Sequence, residues 1–390
     1  MSCFLNSSLR SLLGMLIFVI AVMASFAQTT AGSPAGTSFG LNLKSFGAVG
    51  DCHHDDTSAL QSAVNQINGR TLLLPAGCYL IAQPIRVPFA QGFRIVGEGR
   101  VGTKIQQQSD NTPILVFTQD LTWGWEVSNL EFSWSKPQPN QNTNATAILF
   151  AAPGGKGGLF NFTISHVTFD NGFRGIDLAP GKNGSQPVWG FVLEEIIAET
   201  QMSGATIHLS PNPTVGMPRC ILRDIYSSQA SSEPQITLNH CTSATLDGIE
   251  DNNGVDTSLD LTSNEAMSVR DLHIEHHQMA QANRPVIKAE NSNVDFSGIT
   301  AALWSEIPGD FYLISNVAGG GSLGVSNALL RGVHPKNPSN IASTHTHLLH
   351  LNGPLKLAAL NGIVLSDSDM NRADDTQTAA KIGSLGKVIE

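Results

Sequence analysis

The segment DLHIEHH, residues 271–277, packs His273, Glu275, His276 and His277 into five positions of the chain. A histidine beside a carboxylate can exchange a proton near neutral pH. Two carboxylates on one face can act on a glycosidic bond, one as acid and the other as nucleophile or base. Glu250 lies 23 positions before His273, and Asp170 lies 29 positions before Glu199. A short phrase recurs at those same two intervals, as shown below, so a coil per repeat would set each pair side by side. Glu250 and Glu275 form the first expected catalytic pair, with His273 tuning Glu250; Asp170 and Glu199 form the reserve. Carboxyls about 5 Å apart suit a retaining glycosidase, and about 6.5–9.5 Å leaves room for the water of an inverting one. Crowding of like charges raises one carboxyl pKa, as a general acid requires. A solvated polar strand face is the plainer account of the same columns. Arg223 and Arg270 share an offset two coils apart, and with Trp134 and Trp304 they are the candidates for holding substrate. Trp123, Trp125 and Trp189 also fall in or near expected loops, where aromatic faces stack on sugars or cover the core. His345 and His347 share one strand face, which reads as surface.

Elements must hold these residues in place. The phrase is apolar, polar, polar or Gly, apolar: VSNL at 127, ISHV at 164, LEEI at 193, LRDI at 222 and LDGI at 246. It continues as VRDL at 269, FSGI at 296, VSNA at 325 and LNGI at 360, with gaps of 23 to 37 residues. Periods of this size mark a solenoid. Asn, Asp and Gly accept left-handed backbone angles and so can turn the chain between two short strands. The flanks, such as VSNLEFSW and ISHVTFDN, alternate apolar and polar residues with the period of a strand. Runs such as ATIHLS, PQITLNH and PVIKAE add another strand per repeat. The expected fold is all-β: a right-handed parallel β-helix over 41–365, each coil stacked on the last. A β-sandwich would instead show hairpin turns at 8–12-residue intervals. Within each repeat, the second residue after the phrase points inward, and its neighbours, including Glu250, His273, Asp170, Glu199 and Glu275, point outward.

The ends need their own devices. DDTSALQSAVNQI, residues 55–67, reads as a helix with Asp55 or Asp56 as N-cap. Leu60, Ala63, Val64 and Ile67 give it one apolar face, suited to covering the first coil. Asp51, His53, His54, Asp55 and Asp56 crowd this stretch, but side chains in one loop rarely converge on a metal, so no metal site is expected. Residues 1–27 read as a signal peptide, with Ser25 and Ala27 before the cut, residues 28–40 as a linker, and 366–390 as a tail without the coil pattern. The expected product is therefore secreted, extracellular or periplasmic, with no membrane span once the leader is cut. Cys52, Cys78, Cys220 and Cys241 remain. Sequence proximity favours Cys52–Cys78 and Cys220–Cys241 over the other connectivities, with free buried thiols the alternative. Sequons stand at Asn144, Asn161 and Asn183. A net charge of −10 argues against nucleic acid as a partner, and against a polyanion unless a cation bridges the two.

The run LKSFGAVGD…DDTSALQSAV, then LLLPAGCYLI…PIRVP, then FRIVGEG, resembles the opening segment of the pectate-lyase-like superfamily. That group includes rhamnogalacturonase- and epimerase-like proteins and phage tailspikes. The resemblance is strong over residues 41–105, is specific for a right-handed parallel β-helix, and says little about the reaction. Polygalacturonase-like members carry NTD, DD, GHG and RIK motifs on successive coils. Here NTD, GHG and RIK are absent and DD occurs only at 55 and 374, so no family catalytic residue carries over. The expectation is a glycoside hydrolase on an extracellular polysaccharide, without cofactor. The alternatives are a lyase or epimerase on uronates, which calcium would assist, and a non-catalytic glycan-binding protein. Monomer and trimer stay open.

Overall fold

The computed structural model describes residues 40–119, 121–151, 158–178, 188–199, 201–211, 215–316, 321–350, 357–366 and 370–373. The leader, the linker up to residue 39, Asn183 and most of the expected tail lie outside these residues.

Every strand pairing among the described residues is parallel, which no hairpin-built sandwich would give. A long sheet carries one strand per coil, and an 11-stranded sheet carries the other. In the long sheet the phrase residues stack in unbroken register: Val127, Ile164, Leu193, Leu222, Leu246, Val269, Phe296, Val325 and Leu360. The variable gaps in the sequence are thus absorbed by loops, not by strand slippage. Val127 to Val325 in this column are all buried, and removing one such side chain costs about 2–5 kcal/mol.

The third residue of the phrase is the corner. Asn129, His166, Glu195, Asp224, Gly248, Asp271, Gly298 and Asn327 all have φ between 47° and 78°. Each strand bends there, so one long strand covers two faces of the coil. Gly248 and Gly298 meet a second demand. A Cβ on either would lie 2.7 Å from Oδ1 of the aspartate one rung below, Asp224 or Asp271, so glycine lets that carboxylate rest over the backbone.

The second sheet runs through Ile85–Val87, Leu115–Phe117, Thr146–Phe150, Arg174–Leu178, Ile207–Leu209, Ile236–Leu238, Leu259–Asp260, Pro285–Lys288, Gly309–Ser315 and Thr344–His350. Its last member, Met370–Ala373, carries the stacking beyond residue 365. A third sheet has three short strands, Thr122–Trp123, Leu159–Phe160 and Val188–Trp189. Aromatics concentrate in the coils near these strands: Trp125 stacks on Phe162 at 4.1 Å and on Phe117 at 4.4 Å.

The helix spans Thr57–Val64 and packs against Leu43–Phe46 and Ile85–Val87. Leu60, Ala63, Val64 and Ile67 are buried in the same core as the rungs. Of the two expected caps, Asp55 binds the Thr57 backbone N–H at 2.9 Å, whereas the Asp56 side chain makes no cap. The buried Asp56 carboxylate accepts instead from the N–H groups of Val49 and Gly50, at 2.7 and 2.8 Å, and so shapes the preceding loop. A disulfide joins Cys52 to Cys78 and another joins Cys220 to Cys241.

Candidate functional site

The columns expected from the repeat are the columns of the long sheet. Phe132, Phe169, Ala198, Ser227, Asp251, Ile274 and Ala301 stack in register and are buried. Glu250 pairs with His273, and Asn252 with Glu275. The side chains, however, do not group as expected. His273 Nε2 faces Glu275 at 3.2 Å rather than Glu250. His276 Nδ1 adds a second contact to Glu275 at 3.6 Å, and Asn252 donates to it at 3.2 Å. Glu275 is thus held by its neighbours, and neither it nor Glu250 lines either cleft described below.

The four expected substrate-binding residues are also engaged elsewhere. Trp134 is a correction: only 1% exposed, it donates to the Thr112 carbonyl at 3.0 Å, and Gly172 lies against its ring. Trp134 stands two residues after the inward Phe132 in the same strand, so alternation turns it inward and no ring face meets solvent. The Trp304 ring has the Lys336 ammonium 3.3 Å from its centroid, which takes the face a sugar would need. Arg223 and Arg270 belong to a column of alternating charge, Glu194–Arg223–Asp247–Arg270. Arg223 lies 3.5 Å from Glu194, and Arg270 donates to Ser268. In the crowded stretch at 51–56, the N–H groups of His53 and His54 both donate to Asp51, as in an Asx turn.

The reserve pair is placed differently. Arg100, Glu131, Thr168, Asp170, Ile197 and Glu199 line a cleft of about 500 Å³. Asp170 ends its strand and Glu199 follows the next one. The pairing Phe169–Ala198 just before them sets the two residues on adjacent rungs, about 4.8 Å apart. Glu131 lies one rung further, paired with Lys104 in register and by a 2.6 Å ion pair. Neither Asp170 nor Glu199 has an ion pair among the described residues. Burial pushes the Asp170 carboxyl above its ordinary range, against the pull of Lys104 and the Asn171 N–H. Burial pushes Glu131 up as well; Lys104 opposes it, and the charges of Asp170 and Glu199 add to the rise. Arg100 reaches the Glu195 carbonyl at 3.4 Å and so ties its own loop to the 191–198 strand.

Glu131 and Lys104 escape the sequence reading for different reasons. Glu131 sits in the outward column of Glu250 and His273, but its nearest carboxylates lie diagonally to it. Lys104 belongs to Thr103–Gln107, a strand without the recurring phrase, so the repeat map does not reach it. Among the described residues no three His, Cys, Asp or Glu side chains form a group fit to hold a metal ion. The three carboxylates of the cleft do not meet that geometry either.

A larger groove, about 820 Å³, opens beside the second sheet. Its carboxylates are all matched. Glu233 takes a two-point contact from Arg174, at 2.5 and 2.8 Å. Asp260 accepts from Thr262 at 2.6 Å and lies 3.4 Å from Lys288. Asp256 accepts from the N–H groups of Ala280 and Gln281, and Glu290 from Ser315.

A family description, "Rhamnogalacturonase A/epimerase, pectate lyase-like", matches residues 40–280, more than half of the chain and the whole of the cleft. The chain belongs to that family. Among solved structures, it is similar to the Agl-KA catalytic domain, with 15% identity, a TM-score of 0.58 and coverage of 87% of this chain and 66% of that one. It is also similar to the enzymatically active domain of tailspike protein 2 of bacteriophage CBA120, with 14% identity and a TM-score of 0.54, over 83% of this chain and 47% of that one. The chain therefore spans less than two thirds of either, and at these identities the likeness concerns the fold. No curated protein sequence matches it.

Proposed function

We propose that this protein is a secreted polysaccharide-acting enzyme, a retaining glycoside hydrolase with its active site in the Asp170 cleft. The observation that carries this reading is the crowding of Glu131, Asp170 and Glu199 around one cleft, with burial favouring the protonated form of two of them. Asp170, raised and without an ion pair, is the general acid. Glu199, exposed and one rung away, is the nucleophile. The two residues stand on adjacent rungs, whose backbones lie about 4.8 Å apart, and a retaining mechanism asks for carboxyls roughly 5 Å apart. In the first step Asp170 gives its proton to the glycosidic oxygen as Glu199 attacks the anomeric carbon, and the leaving sugar departs with that proton. In the second, the Asp170 carboxylate takes a proton from water, which displaces Glu199 from the sugar. Lys104, ion-paired to Glu131, opposes the rise that burial and the neighbouring carboxylates give that group. Membership of a family described by a rhamnogalacturonase and an epimerase supports a polysaccharide as substrate. Disulfides at both ends of the cleft-bearing region fit an oxidising compartment.

The test is a panel of pectin, rhamnogalacturonan, alginate and xylan, each with and without chelator. New reducing ends whose first-formed anomer keeps the configuration of the substrate bond are expected, and Asp170→Asn abolishes them. Unsaturated ultraviolet-absorbing ends, or an inverted first product, overturn the assignment.

A further inference from the structure

The smallest sheet presents a row of rings to solvent. Trp123, Phe160 and Trp189 stand in register on three successive rungs, with Trp123 50% and Trp189 45% exposed. The residues before them, Thr122, Leu159 and Val188, are buried, so the short strands turn the rings outward by simple alternation. Phe160 and Trp189 have ring centroids 4.7 Å apart. Phe89 and Leu121, also about half exposed, extend the strip on the first two rungs. Gln91, two residues after Phe89, bridges to Trp123, two residues after Leu121.

A polar edge runs along this row. Each ring is followed by a residue of positive φ: Gly124, Asn161 and Gly190. Arg219 sends Nη2 to Asn161 Oδ1 at 2.8 Å, across the bare Cα of Gly190. Any Cβ on Gly190 would stand 2.6–2.7 Å from those two groups, so the glycine is what lets the guanidinium reach Asn161 over the residue that follows Trp189. All of this is remote in sequence register from the carboxylate cleft, whose residues lie on the far side of the phrase corner in each rung.

From this arrangement we infer that the Trp123–Phe160–Trp189 row is a binding site for a polysaccharide chain lying along the solenoid axis, separate from the cleft. Aromatic side chains on three successive rungs, whose backbones lie about 4.8 Å apart, repeat at a step comparable to one pyranose ring. Sugar rings present apolar C–H faces to such platforms and hydroxyls at their rims, where Arg219 and Asn161 stand. A protein partner fits less well. A ring buries about 150–250 Å² in full, so the half-exposed strip offers roughly 400 Å², about half of the ~800 Å² per side of a stable interface. The site would hold a long chain on the enzyme while the cleft acts on part of it. The inference takes its ligand class from the proposed function, and its test lets the two fail separately.

The full-length protein, Trp123→Ala/Trp189→Ala and Asp170→Asn are compared by affinity electrophoresis in gels containing pectin, rhamnogalacturonan, alginate or xylan. Melting curves check folding, and Trp123→Phe/Trp189→Phe serves as the conservative rescue. The expected result is a retarded wild type on at least one polymer, a loss of affinity of tenfold or more in the alanine variant, and partial recovery with phenylalanine. Asp170→Asn keeps wild-type retardation, and the alanine variant keeps wild-type turnover of short oligosaccharides. The inference falls if no polymer retards the wild type, or if the alanine variant is retarded as strongly as the wild type. It falls also if light scattering shows that the alanine substitutions only split a dimer. Loss of binding in Asp170→Asn alone places the polymer in the cleft and overturns it too.

Discussion

The cleft at Asp170 and the groove at Asp260 are made from the same kinds of side chain on the same solenoid, yet their charges are arranged in opposite ways. In the groove each carboxylate has its own partner: Arg174 for Glu233, Lys288 and Thr262 for Asp260, backbone N–H groups for Asp256. Such groups act as struts between coils. In the cleft three carboxylates have a single ion pair among the described residues, Lys104–Glu131, and burial favours the proton on two. Size alone would have picked the larger groove. Unmatched charge picks the smaller one, because a general acid must be a carboxyl that its surroundings fail to satisfy.

The sharpest way to break this contrast is a pair of substitutions. Asp170→Asn should lower turnover by about 10²–10⁴-fold, the usual worth of a general acid, while Asp260→Asn stays within a few-fold of wild type. The reverse ranking, measured as kcat/KM on the same polymer, moves the active site to the groove. Next in size is a stability effect in the core. His277 and Asp251 are fully buried and 3.1 Å apart, and the other ring nitrogen of His277 faces the Asp256 carbonyl at 2.7 Å. A carbonyl only accepts, so that nitrogen carries a proton, and the paired aspartate raises the histidine pKa although burial lowers it. His277→Gln, which leaves Asp251 buried without its partner, should cost about 3–5 kcal/mol in denaturant unfolding. In the wild type this contribution is present below the ordinary histidine range and is lost as pH rises through the raised value.

Reduction of either disulfide should cost a comparable amount, about 2–5 kcal/mol per bridge, read as a drop in denaturation midpoint with dithiothreitol. The smallest expected effect sharpens the comparison most finely. The raised Asp170 carboxyl adds stability at acid pH that is lost as pH climbs through its folded value, because the ionised form is the one that burial penalises. Asp170→Asn should therefore melt with the wild type at acid pH and slightly above it near neutrality. Asp260→Asn should show no such gain, since it gives up a matched charge.

The coil and its register were legible in the sequence because both are local rules repeated many times. The third residue of each phrase needs a positive φ, and the residues two beyond the phrase alternate inward. From these, the neighbours Glu250–His273 and Phe169–Ala198 follow without coordinates. What did not follow is where a side chain goes once it leaves its strand. Glu275 binds the histidines beside it, and the Trp304 face is taken by Lys336 from a later coil. Lys104 reaches Glu131 from a strand that lacks the phrase. Loops also decide which outward columns are walled into a cleft, and their lengths follow no period.

The left-handed corner in each coil has a consequence for how such a chain can change. One residue inserted between His166 and Asp170 would exchange the faces of everything after it in that rung, driving the carboxylate inward and Phe169 out to water. A dozen residues inserted into the loop that follows Asn171 would leave both where they are. Lineages of this molecule should therefore differ freely in the length of their loops while the few residues after each corner keep their count.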